Sequence, residues 1–148
     1  MCEVKALILP NEFIFYERLL KFIGKDCYVN KSNNRFCSID FIIIDKHNLR
    51  TIYLEHKYRN IEDMYNTLLI GKNKIDNIIK SKYRHSYVIW EFANDVFYVK
   101  KVLKEFIKYE TSTYVNSEAY KVNKDECVKF NDIKDLCGFI YECVRKLN

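Results

Sequence analysis

Hydrophobic and polar positions along the chain switch between helical and extended periods. From Asn11 to Ile23, Tyr16, Leu19, Leu20 and Ile23 recur at three- and four-residue spacing. This predicts an amphipathic helix with Asn11 as N-cap and Gly24 as stop, after a short apolar lead-in closed by Pro10. Residues 26–30 read as a short strand and Lys31 to Arg35 as a polar turn. Two apolar runs, at about 36–44 and 50–58, are parted by Asp45, Lys46, His47 and Asn48, which predicts a β-hairpin. A second helix is predicted from about Ile61 to Lys82 on the stripe Ile61, Tyr65, Leu68, Ile75 and Ile79. Tyr87 to Glu91 and Val96 to Lys100 read as strands joined by a turn at Ala93, Asn94 and Asp95. Residues 101–109 have a helical pattern, and 112–126 read as an irregular connection. Asp132 caps a final helix whose Ile133, Leu136, Phe139, Ile140 and Val144 share one face.

This order predicts an α/β fold: a mixed central β-sheet flanked by helices, with an αβββαβ core over about 11–100 and a C-terminal extension over about 101–148 that ends in a helix. A length of 148 residues suits one domain spanning 1–148. Half the residues are apolar, and Gly and Pro together number four, which excludes a disordered or low-complexity chain. The net charge of +5 is spread over both halves and is compatible with a polyanionic partner without requiring one. The six cysteines, at 2, 27, 37, 127, 137 and 143, form no C-x-x-C pair and lie near no spaced histidines, which argues against structural zinc. No signal peptide or membrane-length apolar stretch is evident. The expected location is therefore intracellular, in cytoplasm or nucleus, with reduced thiols and no membrane partner.

The hairpin carries the candidate chemistry. If Asp45 pairs with Arg50, Asp40 falls opposite Glu55, and opposed residues on one face have Cβ atoms about 4.5–5.5 Å apart. Two carboxylates so close repel unless a positive group sits between them, and a divalent cation fits that need. Side chains alternate along a strand, so Lys57 projects from the same face as Glu55. The alternative is a solvated ion-pair patch at a sheet edge; against it stands the apolar setting of Asp40. In the second predicted helix, Lys72 lies in the middle of the apolar face between Leu68 and Ile75, while Lys74 points away. Either Lys72 snorkels its amine to the surface, or it aims at the sheet. His56 faces away from Glu55 and Lys57 and reads as a packed or surface histidine. Tyr58 and Arg59 could touch a nucleic-acid backbone. Tyr109, Tyr114 and Tyr120 could stack on bases, but fit core or rim packing better.

The element order, together with Asp40 and, fifteen positions on, Glu55-x-Lys57, resembles the PD-(D/E)XK nuclease superfamily, with Ser38-Ile39 where the name has proline. The resemblance covers residues 11 to about 100 and implies a restriction-endonuclease-like fold. It also implies that Asp40 and Glu55 bind Mg²⁺ or Mn²⁺ and that Lys57 positions or activates the attacking water. Relatives often add an acid from the first helix, for which Glu12 and Glu17 compete. Glu12 is preferred because it shares the stripe of Tyr16, Leu19 and Ile23. The distance from Glu12 to Gly24, and the Gly71-Lys72 step, are also loosely similar to archaeal Holliday-junction resolvases.

Magnesium needs only one or two carboxylates and keeps several waters, which suits Asp40, Glu55 and the backbone carbonyl of His56. Lys72 would then contact a substrate phosphate. The resemblance implies a metal-dependent endonuclease on DNA. A chain this short has little room for a separate recognition domain, so structure-specific or weakly specific cleavage, with a junction cutter as its sharpest form and a homodimer compatible with it, is expected over long-sequence readout. The alternatives are an RNA endonuclease of the same fold, or a nuclease-like module without catalysis that binds nucleic acid or protein.

Overall fold

The computed structural model describes residues 10–32, 38–81, 83–114 and 117–147. Helix α1 spans Pro10–Ile23, followed by strands β1 (Cys27–Lys31), β2 (Phe41–Asp45), β3 (Thr51–Arg59) and β4 (Thr67–Gly71). Helix α2 (Lys72–Lys80) leads to β5 (Ser86–Phe92) and β6 (Phe97–Lys101). A 3₁₀ turn at Lys104–Lys108 precedes β7 (Thr111–Tyr114) and β8 (Ser117–Asn123). A second 3₁₀ turn (Lys124–Glu126), β9 (Val128–Phe130) and α3 (Ile133–Arg145) complete the chain.

Six strands form the main sheet in the order β1-β2-β3-β5-β6-β9, in which β3 and β5 are parallel and every other pair is antiparallel. The sheet is therefore mixed, as the sequence predicts. Helices α1 and α3 cover one face, where Phe15, Leu19 and Ile23 meet Phe41, Ile43, Ile52, Leu54 and Ile89, with Leu136, Ile140 and Val144 beside them. Helix α1 opens one residue before the predicted cap, at Pro10, whose fixed φ suits a first helical turn. It stops at Gly24, where a Cβ would meet the Leu20 carbonyl oxygen at 2.3 Å. Asp132 caps α3 as predicted, accepting from the Lys134 N–H at 2.6 Å.

The other face of the sheet differs from expectation. The segment predicted as one helix from Ile61 to Lys82 is a loop, then β4, then the shorter α2; Lys82 lies outside the described residues, as do residues 33–37 of the predicted turn and strand. Strand β4 joins β8 and β7 in a separate three-stranded sheet, with Leu68 opposite Val122 and Ile70 opposite Tyr120. The supposedly irregular 112–126 thus supplies most of two strands. Leu68, Ile70, Ile75, Ile78, Tyr120 and Val122 pack with Val88 and Trp90 of β5 into a second core. Long-range pairing with β8 outweighs the helical periodicity of 61–71, because Leu68 and Ile70 also alternate and satisfy strand burial equally well. Cysteines 27, 127, 137 and 143 are free thiols, and among the described residues no helix is long and apolar enough to cross a membrane.

Candidate functional site

The β2–β3 hairpin has the predicted register: the Asp45 N–H donates to the Arg50 carbonyl at 2.9 Å, and Phe41 pairs with Leu54. Asp40 sits just before β2 in a bend rather than within the ladder. Its N–H donates to the Leu54 carbonyl (2.9 Å), and its carbonyl accepts from the Ser32 N–H (2.7 Å). The bend leaves the Asp40 carboxylate free to reach across the edge and accept the His56 N–H at 2.8 Å. Asp40 therefore still reaches Glu55, from a strand mouth.

Glu55 and Lys57 share the face of β3 that carries Tyr53, while Ile52, Leu54 and His56 face α1. Glu55 is 1% exposed. Its Oε1 accepts from Lys74 Nζ at 2.7 Å, and its Oε2 is buried without a hydrogen-bond partner. Burial, reinforced by the charge of Asp40 and only partly countered by Lys74, pushes the Glu55 carboxyl up to about 8. Burial opposes the charge on Lys74, yet Glu55, Asp40 and Glu12 hold its ammonium above the ordinary value. Lys57 is lowered by desolvation and by the neighbouring cations Lys74 and Arg59.

Glu12 comes to this cleft from the first turn of α1. It lies 3.4 Å from Lys31 Nζ, and burial and Asp40 raise its carboxyl while Lys31 partly offsets them. Glu17 is exposed. What holds α1 here is His56, whose ring stacks on Phe15 (centroids 4.2 Å, planes 8° apart) and whose Nε2 lies 2.8 Å from Glu91 Oε1. His56 is thus a packed residue. Asn11, Glu12, Asp40, Glu55, His56, Lys57, Tyr58 and Lys74 line one cleft of about 210 Å³.

Lys72 is placed elsewhere. Its ammonium pairs with Asp76 at 2.7 Å and lies over the Tyr120 ring, on a different pocket. The physical reason is the late start of α2. Once Ile75 and Ile78 define the buried stripe, Lys74 and Lys72 flank it on opposite sides, about 70° and 90° from its centre. Lys74 meets the carboxylates and Lys72 does not, the reverse of the expected placement. Of the tyrosines considered as base-stacking residues, Tyr120 is buried in the second core and hydrogen-bonds Asp76 at 2.6 Å; Tyr109 packs edge-on to Phe106. The side chain of Tyr114 lies outside the described residues.

Among the described residues no three carboxylate, imidazole or thiol groups form a closed ligand set. The donors instead suit a cation that keeps several of its waters: two adjoining carboxylates, one with an orphaned buried oxygen. No family model matches the chain, and no curated protein matches its sequence. Two solved structures are similar to it. One is Hjc of Archaeoglobus fulgidus, a Holliday junction resolvase, with 10% identity over 82% of this chain and 98% of that one, and a TM-score of 0.50. The other is a nuclease from a fusselovirus, with 15% identity over 91% of this chain and 97% of that one, and a TM-score of 0.54.

Proposed function

We propose that this chain, whose fold is the restriction-endonuclease-like PD-(D/E)XK fold, is a divalent-metal-dependent endonuclease acting on DNA. The observation that carries the reading is Glu55: a carboxylate 1% exposed, with one unpartnered oxygen, beside a second carboxylate at a strand mouth. Such a pair destabilises the fold unless it serves a cation or a proton.

Asp40 and Glu55 would hold Mg²⁺ or Mn²⁺. The carbonyl of His56 would assist, because it leaves β3 on the same edge as the N–H that faces Asp40. The bound ion would supply Lewis acidity toward a phosphate oxygen and a water of lowered pKa. The chain's own residues supply orientation. Lys57 has no carboxylate within salt-bridge distance among the described residues, so its ammonium is available to a phosphate and the attacking water. Lys74 fixes the Oε1 side of Glu55 and leaves Oε2 without a hydrogen-bond partner, so that this oxygen would be the one offered to a cation. Glu12 and Lys31 border the same cleft and would orient further water. That the two similar structures are a junction resolvase and a nuclease supports this reading.

The test is cleavage of labelled duplex, single strand, four-way junction and RNA with Mg²⁺ or Mn²⁺. Cleavage of DNA is expected, lowered about 10²-fold by Lys57→Ala, the scale of one oriented electrostatic contact. A folded chain that binds Mn²⁺ and cuts none of these substrates would sink the proposal. Cutting of RNA alone would move it to RNA. The two lysines of α2 give a sharper comparison. Lys74→Ala should slow cleavage roughly tenfold or more, whereas Lys72→Ala should stay within about twofold, since only Lys74 makes a charge-assisted bond inside the cleft.

A further inference from the structure

We infer that a pocket adjoining Lys57 receives one unpaired nucleobase next to the phosphate held in the cleft. The inference rests on the nuclease reading for where that phosphate lies and names the substrate class: strands with a base free of pairing beside the cut. Along β3, Glu55, Lys57 and Arg59 project from one face, and in the parallel ladder Lys57 lies beside Trp90 and Arg59 beside Phe92. The step from Lys57 to Arg59 is about 6.6 Å along the strand. Immediately past Lys57 opens a pocket of about 300 Å³ walled by Arg59, Tyr65, Leu68, Trp90, Phe92 and Lys121. That volume is at the bottom of the small-ligand range and suits a single flat ring rather than a peptide segment.

The lining matches a base joined to a polyanion. Leu68, Trp90 and Phe92, all but fully buried, form an apolar floor, the exposed Tyr65 ring at the rim offers the stacking surface, and Arg59 and Lys121, the latter 3.8 Å from Glu110, bring positive charge. The outer wall, the loop between β3 and β4, is held from below. The Asp63 carboxylate accepts from Tyr98 OH at 2.6 Å and pairs with Lys124. The Ala93 N–H donates to the Ile61 carbonyl (3.0 Å) and the Lys124 N–H to the Asn66 carbonyl (3.1 Å). Yet this pinned loop leaves Tyr65 60% exposed. A fixed loop that presents an uncovered aromatic ring is preorganised for a ligand, since the ordering cost precedes binding. A base inside a duplex cannot reach such a pocket without leaving the stack.

Fluorescence anisotropy in EDTA tests this independently of metal and cleavage. The probes are a short labelled single-stranded DNA and the same backbone built wholly of abasic nucleotides. The wild type should bind the base-bearing strand more tightly. Tyr65→Ala should weaken that binding about 5- to 150-fold, the range of one base–aromatic stack, and leave the abasic strand unaffected; Tyr65→Phe should restore it. A wild type without preference for the base-bearing strand, or a Tyr65→Ala variant that weakens both probes equally, would overturn the inference. Failure of the nuclease reading would show differently, as absence of metal-dependent cleavage with this preference intact.

Discussion

Asp40→Asn is expected to lower metal-dependent cleavage about 10³-fold while the chain remains folded. Asparagine keeps an oxygen able to accept the His56 N–H that Asp40 accepts at 2.8 Å, so the edge geometry at the mouth of β2 survives. What disappears is the charge beside Glu55. Asp40 raises both Glu55 and Glu12, so its neutralisation also relieves repulsion in the metal-free protein. The variant should therefore melt above the wild type in EDTA, yet lack the rise in Tm that Mn²⁺ is expected to give the wild type. Single-turnover cleavage and melting curves with and without Mn²⁺ measure both effects. A rate within about tenfold of wild type would remove Asp40 from the site.

The stability of the metal-free protein should fall as pH rises from about 4.5 to about 8, and Glu55→Gln should abolish much of that fall. The sign follows from the raised carboxyl. In this window the folded chain keeps a proton on Glu55 that the unfolded chain has released, so each step upward in pH favours unfolding. Taken alone, Glu55 accounts for up to about 4 kcal/mol across the window, at about 1.4 kcal/mol per pH unit. For a chain of this size that is roughly 2–4 °C in Tm per kcal/mol. Glutamine stays neutral throughout and still offers Lys74 an acceptor, so wild type and variant should coincide near the acid end and diverge toward pH 8. On the proposed function, divalent metal should oppose the fall, because it would replace the proton on Glu55, and cleavage should rise over the same window. Parallel Tm-versus-pH curves for the two proteins would refute the burial of an ionisable Glu55.

The same electrostatics explain why the site is compatible with a stable fold at all. Lys74 satisfies one oxygen of Glu55, Asp40 spends one oxygen on a backbone N–H, and the remaining demand is left to an ion or a proton. Removing one partner of a buried charge costs far more than exchanging both. Lys74 therefore belongs to the architecture of the cleft as much as to its chemistry.

Local pattern sufficed for the hairpin. Period-two alternation alone puts Glu55 and Lys57 on one face, and the break at Asp45 to Asn48 sets the register that brings Asp40 to Glu55. Three-to-four spacing likewise determined α1 and α3, and with α1 the position of Glu12 over Glu17. The placement of the second lysine was not legible in this way. Residues 61–71 satisfy a helical stripe while 67–71 also satisfy a strand alternation, and there the strand prevails because β8, some fifty residues further on, offers Leu68 and Ile70 the partners Val122 and Tyr120. The alternation of Tyr120 and Val122 is a signal for β8 in the sequence, but nothing local says that β4 is its neighbour. The sequence by itself determined which residue types share the face of β3. Tertiary structure alone decided that Lys74 rather than Lys72 meets Glu55, because helix phase depends on where the helix begins, and that point was set by a strand pairing between distant segments.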